Sequence, residues 1–255
     1  MTAHPTAAVR VVAGVHPVRE VLRSGQVLDR VLVAEGRERG GAVAEIAELA
    51  GGAGVPLRQV PRSQLDALAE GVVHQGVVAT GPPLPEADLE DVLAAARASG
   101  VRPLLVVLDG VTDPQNLGSI ARTAEAVGAH ALVVPRRRTA ALGAAAEKAA
   151  AGAFAYLPLV RVGNLARTLT RLHEAGVWSL GLDGAAEAEL ADHPLAGEAC
   201  ALVVGAEGHG LSRLLRERCD ALVRLPMLGR VGSLNASVAA GVALYTLLDR
   251  RAERR

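Results

Sequence analysis

Aromatic residues are almost missing from this chain: of 255 residues only Phe154, Tyr156, Trp178 and Tyr245 are Phe, Tyr or Trp. Recognition of nucleic acid by rows of stacked rings is therefore excluded, and any RNA contact must use arginine, backbone and small polar groups. Lysine is scarcer still, because Lys148 is the only one and nearly all positive charge is guanidinium. Guanidinium suits bidentate phosphate contacts, although an Ala-, Arg- and Gly-rich composition also follows from GC-rich coding. An excess of one charge is lacking too: 27 basic side chains balance 27 acidic ones, which excludes a purely electrostatic coat for nucleic acid and leaves room only for a local basic face.

Two cysteines, Cys200 and Cys219, have neither CxxC nor paired-histidine spacing, so they read as free thiols and not as a zinc site or disulfide framework. No cationic segment followed by a long apolar run occurs in residues 1–12, which predicts a cytoplasmic protein. Residues 231–248 carry no charge over nearly a membrane span. They include Ser233, Asn235, Ser237 and Gly241 and are rich in Ala, so a buried helix and no membrane span is expected. GxGxxG, GxxxxGK, HExxH and GxSxG are all absent, which leaves a dinucleotide-dependent oxidoreductase without its glycine fingerprint.

Half of the residues are hydrophobic, enough for one large core or two small ones. In 9–81 the runs VRVVAG, DRVLVAEG, VPLRQV and HQGVVAT read as strands, separated by helical spacing in VHPVREVLRSG and AVAEIAELAGG. Gly81-Pro82-Pro83-Leu84-Pro85 breaks regular structure, so 82–101 is read as a linker. Residues 102–252 alternate the strands LLVVLD, HALVVP, WSLGLD, CALVVG and LVRLP with helices near 117–127, 140–150, 165–175, 211–219 and 235–251. This pattern predicts an α/β fold with a parallel sheet covered on both faces. Ligands of such sheets gather at the carboxyl ends of the strands, which singles out the loops after LLVVLD, CALVVG and LVRLP.

The first loop, 109–118, places Asn116 near a helix start, where it caps the helix or faces a substrate. Arg122 follows among Ile120, Ala121, Ala124 and Val127, where a guanidinium needs an ion-pair partner or a substrate. The second loop sets Gly205, Gly208 and Gly210 around Glu207, either for close approach of backbone to a ligand or as a tight turn with a capping carboxylate. The third places Ser233, Leu234, Asn235 and Ser237 before an Ala/Gly-rich helix able to pack closely on another backbone, with helix capping as the simpler reading.

These segments, DPQNLGSIARTAEAVGA, LVVGAEGHGL and LPMLGRVGSLNASVAAGVAL, resemble in this order the three motifs of the SpoU branch of the SPOUT RNA methyltransferases, across 104–248. GVHPVREVL and VHQGV resemble the small RNA-binding domain that precedes the catalytic domain in RlmB-type members, and KAAAGAFAYLPLVRVGNLARTL is similar to the same group. Val73 stands where many members carry arginine. The resemblance implies a carboxyl-terminal trefoil knot, S-adenosylmethionine as methyl donor, no metal, and a homodimer with active sites at its interface. By motif position it implies cofactor contacts at Gly205, Leu225 and Leu234 with Met227 nearby, and a polar catalytic set of Asn116, Arg122, Glu207, Ser233 and Asn235. The implied reaction is 2′-O-methylation of a guanosine in 23S rRNA, with RNA and not DNA as partner. Methylation of tRNA or another rRNA site, and a non-catalytic RNA-binding dimer in ribosome assembly, remain as alternatives. Because guanidinium stays protonated, Arg122 suits stabilisation of developing negative charge and not proton abstraction. RNA contacts are expected from Arg136, Arg137 and Arg138 and from Arg19 and Arg23, with a weaker claim for Arg250, Arg251, Arg254 and Arg255 at a helix end.

Overall fold

The computed structural model describes residues 9–37 and 40–253; residues 1–8, with the reading of 1–12 that rests on them, and Arg254 and Arg255 lie outside the described residues. The chain forms two compact units, Met1–Pro85 with Ala141–Tyr156, and Glu86–Ala140 with Leu157–Arg255.

The first unit is built on β1 (Arg10–Ala13), α1 (Val15–Arg23), β2 (Arg30–Ala34), α2 (Ala42–Gly52), β3 (Leu57–Val60), α3 (Arg62–Ala69) and β4 (Val77–Gly81). Its sheet runs β1-β4-β2-β3, with β4 antiparallel to both neighbours and β2 parallel to β3. Alternation in β2 sends Val31 and Val33 to one face, against Val18, Val21 and Ile46 of α1 and α2, and Leu32 and Ala34 to the other, against Leu65 and Ala69 of α3. Period-2 strands with two apolar faces thus need helices on both sides.

That second face is completed from far along the chain. The segment Ala141–Tyr156, expected to belong with the carboxyl-terminal sheet, joins the first unit. Its Glu147 is fully buried and accepts from Arg10 Nε at 2.5 Å. Arg10 also donates to Gln26, whose amide donates to the carbonyls of Phe154 and Ala155 at 3.1 and 3.2 Å. Burial pushes the Glu147 carboxyl up, and the Arg10 guanidinium pulls against it.

The second unit holds α4 (Leu89–Ala98), β5 (Leu104–Asp109), α5 (Pro114–Ala126) and β6 (Ala131–Pro135). The excursion carrying α6 (Ala144–Ala150) follows, then β7 (Leu159–Val162), α7 (Leu165–Glu174), β8 (Trp178–Leu182), β9 (Cys200–Gly205), α8 (Arg213–Arg218), β10 (Ala221–Val223) and α9 (Ala236–Ala252). The six strands are all parallel in the order β10-β8-β9-β5-β6-β7. The apolar runs LLVVLD and CALVVG form the two adjacent central strands, as unbroken hydrophobicity requires of strands covered on both faces.

Several elements depart from the sequence reading. Leu89–Ala98, within the stretch read as a linker, is a helix with Leu89, Val92 and Leu93 in the core, capped by Asp88 accepting from Glu90 N–H. The apolar spacing is helical, but the prolines before it masked the signal. α3 and β7 are also additions, α3 because it is short and half polar and β7 because it is only four residues long. α9 is not a buried helix throughout: Ala240, Ala243, Leu244 and Leu247 are buried, whereas Val238, Val242 and Tyr245 are about half exposed. Among the described residues no helix is long and apolar enough to cross a membrane. Both cysteines are free, and burial pushes their thiols up, Cys200 to about 11 and Cys219 to about 12.

Candidate active site

The carboxyl ends of β8, β9 and β10, with the start of α9, surround a cleft of about 200 Å³. Leu182, Leu225, Met227 and Leu234 give it apolar walls, and Gly205, Ala206, Gly208 and Gly210 give it backbone. The loop after β9 closes on itself: Ala206 N–H donates to Gly210 O at 3.1 Å and Gly210 N–H to Ala206 O at 2.8 Å. A Cβ on Gly205 would lie 2.1 Å from the Gly210 carbonyl carbon, so this glycine is required by its own loop's return. Asp109, ending β5, accepts from Ser212 N–H at 2.7 Å and ties the first loop to the second.

On the rim of this cleft three residues bond to one another: Asn116 in the first turn of α5, Glu207 in the loop after β9 and Asn235 at the start of α9. Asn235 caps α9, its Oδ1 accepting from the N–H groups of Ser237 and Val238 and from the Ser237 hydroxyl. Backbone N–H groups can only donate, so Oδ1 is the acceptor and the Asn235 amide must present Nδ2 to its other neighbours. Nδ2 donates to Asn116 Oδ1 at 3.0 Å and to Glu207 Oε2 at 3.2 Å. Asn116 in turn donates its Nδ2 to Glu207 Oε2 at 3.0 Å. One helix cap therefore dictates the direction of the whole network, which ends on a carboxylate oxygen receiving two amides. Asn116 is buried but does not cap α5; Asp113 does, accepting from Gln115 and Asn116 N–H. That leaves the Asn116 side chain for Glu207.

The other expected residues fall into three groups. Gly205, Leu225, Met227, Ser233 and Leu234 line the cleft together with Glu207. Arg122 does not join the cluster: on α5 the buried positions are Ile120, Ala121 and Ala124, and Arg122 points to solvent without an ion-pair partner among the described residues. Of the two readings, ion pair or substrate, no ion pair is found among the described residues, because Arg122 lies on the solvent face of the helix. Among the arginines expected at RNA, Arg19 and Arg23 pair with Glu20 and Glu45, and Arg136 pairs with Glu86 at 2.8 Å. Arg250 pairs with Glu253, and Arg251 donates to the carbonyls of Pro103, Glu198 and Arg102. Arg137 and Arg138 stay exposed. Leu182, Asp183 and Gly184 also line the cleft and were missed, because strand order, which puts β8 between β10 and β9, is not written in any local period. Among the described residues no group of three or more His, Cys, Asp or Glu side chains is placed to hold a metal ion.

Residues 103–245 match the family model of the SpoU rRNA methylases, and residues 11–87 match that of the RNA 2′-O ribose methyltransferase substrate-binding domain. The 23S rRNA (guanosine-2′-O-)-methyltransferase RlmB of Pseudomonas aeruginosa is 48% identical over 244 residues, covering 94% of this chain and 96% of that protein. RlmB of Yersinia pestis is 44% identical over 245 residues, covering 94% and 97%. The solved structure of the SpoU methyltransferase AviRb from Streptomyces viridochromogenes in complex with the cofactor AdoMet superposes with a TM-score of 0.80 at 26% identity, covering 97% of this chain and 92% of that one. The TrmH/SpoU tRNA modifying enzyme of A. aeolicus, with a TM-score of 0.54 at 27% identity, covers only 65% of this chain and 85% of its own. With its three motifs on the carboxyl ends of one parallel sheet and both family models matched in series, the chain belongs to the SpoU rRNA methylase family.

Proposed function

We propose that this protein transfers a methyl group from S-adenosylmethionine to the 2′-hydroxyl of a guanosine in 23S rRNA, in the cytoplasm. The observation that carries the reading is the bonded set of Asn116, Glu207 and Asn235 on the rim of an apolar-walled cleft. The chemistry of the lining suits a nucleoside cofactor: Leu182, Leu225, Met227 and Leu234 offer apolar surface, and the loops around Gly205 offer backbone groups. When bound, S-adenosylmethionine supplies a methyl group made electrophilic by its sulfonium.

The chain's own residues position and stabilise. The apolar walls exclude water. Glu207 is fixed through Oε2, and Oε1 has no hydrogen bond among the described residues, so it can accept from the ribose hydroxyl. Ser233 lies beside it on the same rim. Arg122, always protonated, stabilises the negative charge that develops on the ribose oxygen as its proton shifts toward Glu207 Oε1.

The reading includes a trefoil knot in the carboxyl-terminal part and a homodimer. Arg122 stands apart from its own cluster, and its neighbour Thr123 faces Gly241 of α9, where a Cβ would meet it at 3.8 Å. The exposed stripe Val238, Val242 and Tyr245 runs along α9, and a second copy seated there would bury the stripe and draw Arg122 into its cleft. Residues 9–81 then serve substrate binding and 102–252 methyl transfer. The test is transfer of labelled methyl to unmodified 23S rRNA, small-subunit rRNA and tRNA, with nucleoside analysis of the product. Label as 2′-O-methylguanosine in 23S rRNA is expected; label in tRNA alone, or none despite cofactor binding, overturns the reading.

A further inference from the structure

The motif Val73-His74-Gln75-Gly76 precedes β4 and takes no part in the cluster of Asn116, Glu207 and Asn235. Gln75 is exposed with φ +54°, a left-handed conformation that glycine or asparagine adopts far more readily. His74 beside it is buried, with Nε2 bonded to Asp66 Oδ1 at 2.8 Å and Nδ1 accepting from Gly76 N–H at 3.0 Å. The turn is locked from inside while a strained polar side chain is held at the surface, an arrangement that persists only where the surroundings enforce it and that concentrates at binding sites.

Two cations flank Gln75, each lying over a glycine. A Cβ on Gly14 would come within 2.6 Å of Lys148 Nζ, and one on Gly76 within 3.0 Å of Arg37 Cδ and 3.1 Å of its Nη1. Lys148 Nζ is 3.5 Å from Gln75 Oε1. Neither cation has a carboxylate partner among the described residues, whereas Arg19 and Arg23 of the same unit share Glu20 and Glu45. The chain's only lysine is delivered here by the residue before it, because Glu147 is buried against Arg10.

We propose that Lys148, Gln75 and Arg37 form a nucleotide-contact site for RNA on the first unit. The two cations take a backbone phosphate, and the Gln75 amide, with one acceptor and one donor group, contacts an adjacent base edge or 2′-hydroxyl. Lys148 lies outside the match to the substrate-binding model, which ends at 87, and inside the match to the methylase model, so neither match assigns it to substrate. The site rests on the proposed RNA substrate. Binding of unmodified 23S rRNA, measured over a salt series next to methyl transfer, tests it. Lys148→Ala weakens RNA binding roughly tenfold and lowers the slope of log affinity against log salt by about one, and Lys148→Arg restores most of it. Gln75→Gly relieves the left-handed strain, so Tm rises while RNA affinity falls; a merely structural turn would give the rise without the fall. Unchanged affinity and slope in Lys148→Ala and Gln75→Gly, with the wild type methylating 23S rRNA, overturns this site and leaves the proposed function standing. A wild type that neither binds nor methylates the RNA overturns both.

Discussion

Two polar networks join distant parts of this chain, and they differ in what they are open to. In the first unit Arg10 and Glu147, 137 residues apart, meet with side chains 3% and 0% exposed. In the second unit Asn116, Glu207 and Asn235 meet across separations of up to 119 residues, with Glu207 and Asn235 exposed and Glu207 lining the cleft. The sealed pair recruits the segment Ala141–Tyr156 into the first unit and has no route to a ligand. The open set ends on a carboxylate whose spare oxygen belongs to an exposed residue, whereas the spare Glu147 Oε2 and Arg10 Nη2 of the sealed pair are buried. A closed network spends its hydrogen bonds on assembly, whereas an open one can hold groups in readiness for charge that develops later.

A sealed pair makes Glu147→Ala severe. Removing one partner of a buried pair strands the Arg10 charge, so urea unfolding should show a loss of about 3–5 kcal/mol, with cofactor affinity of the folded protein unchanged. A loss below about 1 kcal/mol, the range of a surface pair, would mean that the pair is solvated in solution. Next in size, Glu207→Gln should lower methyl transfer about 100- to 1,000-fold while Tm stays within a few degrees, because the network it leaves is on an open rim. A stability loss as large as that of Glu147→Ala would erase the distinction between the two networks. Replacing both buried partners, Arg10→Met with Glu147→Leu, should return stability to within about 1–2 kcal/mol of wild type, since apolar groups of similar volume need no partners.

The smallest effect concerns acid. Burial would raise the carboxyl of Asp220, but the amide and hydroxyl of Ser179 and the ring of His173 outweigh it and hold Asp220 below the usual range. A depressed carboxylate stabilises the fold above its unfolded value near about pH 4 and loses that contribution as pH falls through the lower folded value. Thermal unfolding of Asp220→Asn should therefore match its own neutral-pH stability further into acid than wild type does. An acid limb identical to that of wild type removes Asp220 from the account.

Much of the site was legible because it is written in contiguous loops. Asn116 and Glu207 follow the central strands β5 and β9, whose apolar runs mark them, and Ser233, Leu234 and Asn235 follow the edge strand β10, so their arrival at the carboxyl end of one parallel sheet follows from the strand pattern. Arg122 was legible as a residue and not as a position, since its apolar neighbours in sequence occupy the opposite face of α5. Arg19 and Arg23 read as a basic patch until Glu45, on a different helix, is brought against them. Gln75 and Lys148 gave no local hint of each other, being 73 residues apart.

Periods of 2 and 3.6 residues, the glycine and proline breaks and the three loop motifs are local properties of the chain, and they suffice for an α/β architecture, a parallel sheet and the family. The direction of the amide network, the placing of β8 beside the cleft and the transfer of Ala141–Tyr156 to the first unit are settled elsewhere. Each depends on contacts between residues tens to more than a hundred positions apart, whose free energy arises only when the core closes and buried polar groups must find their partners.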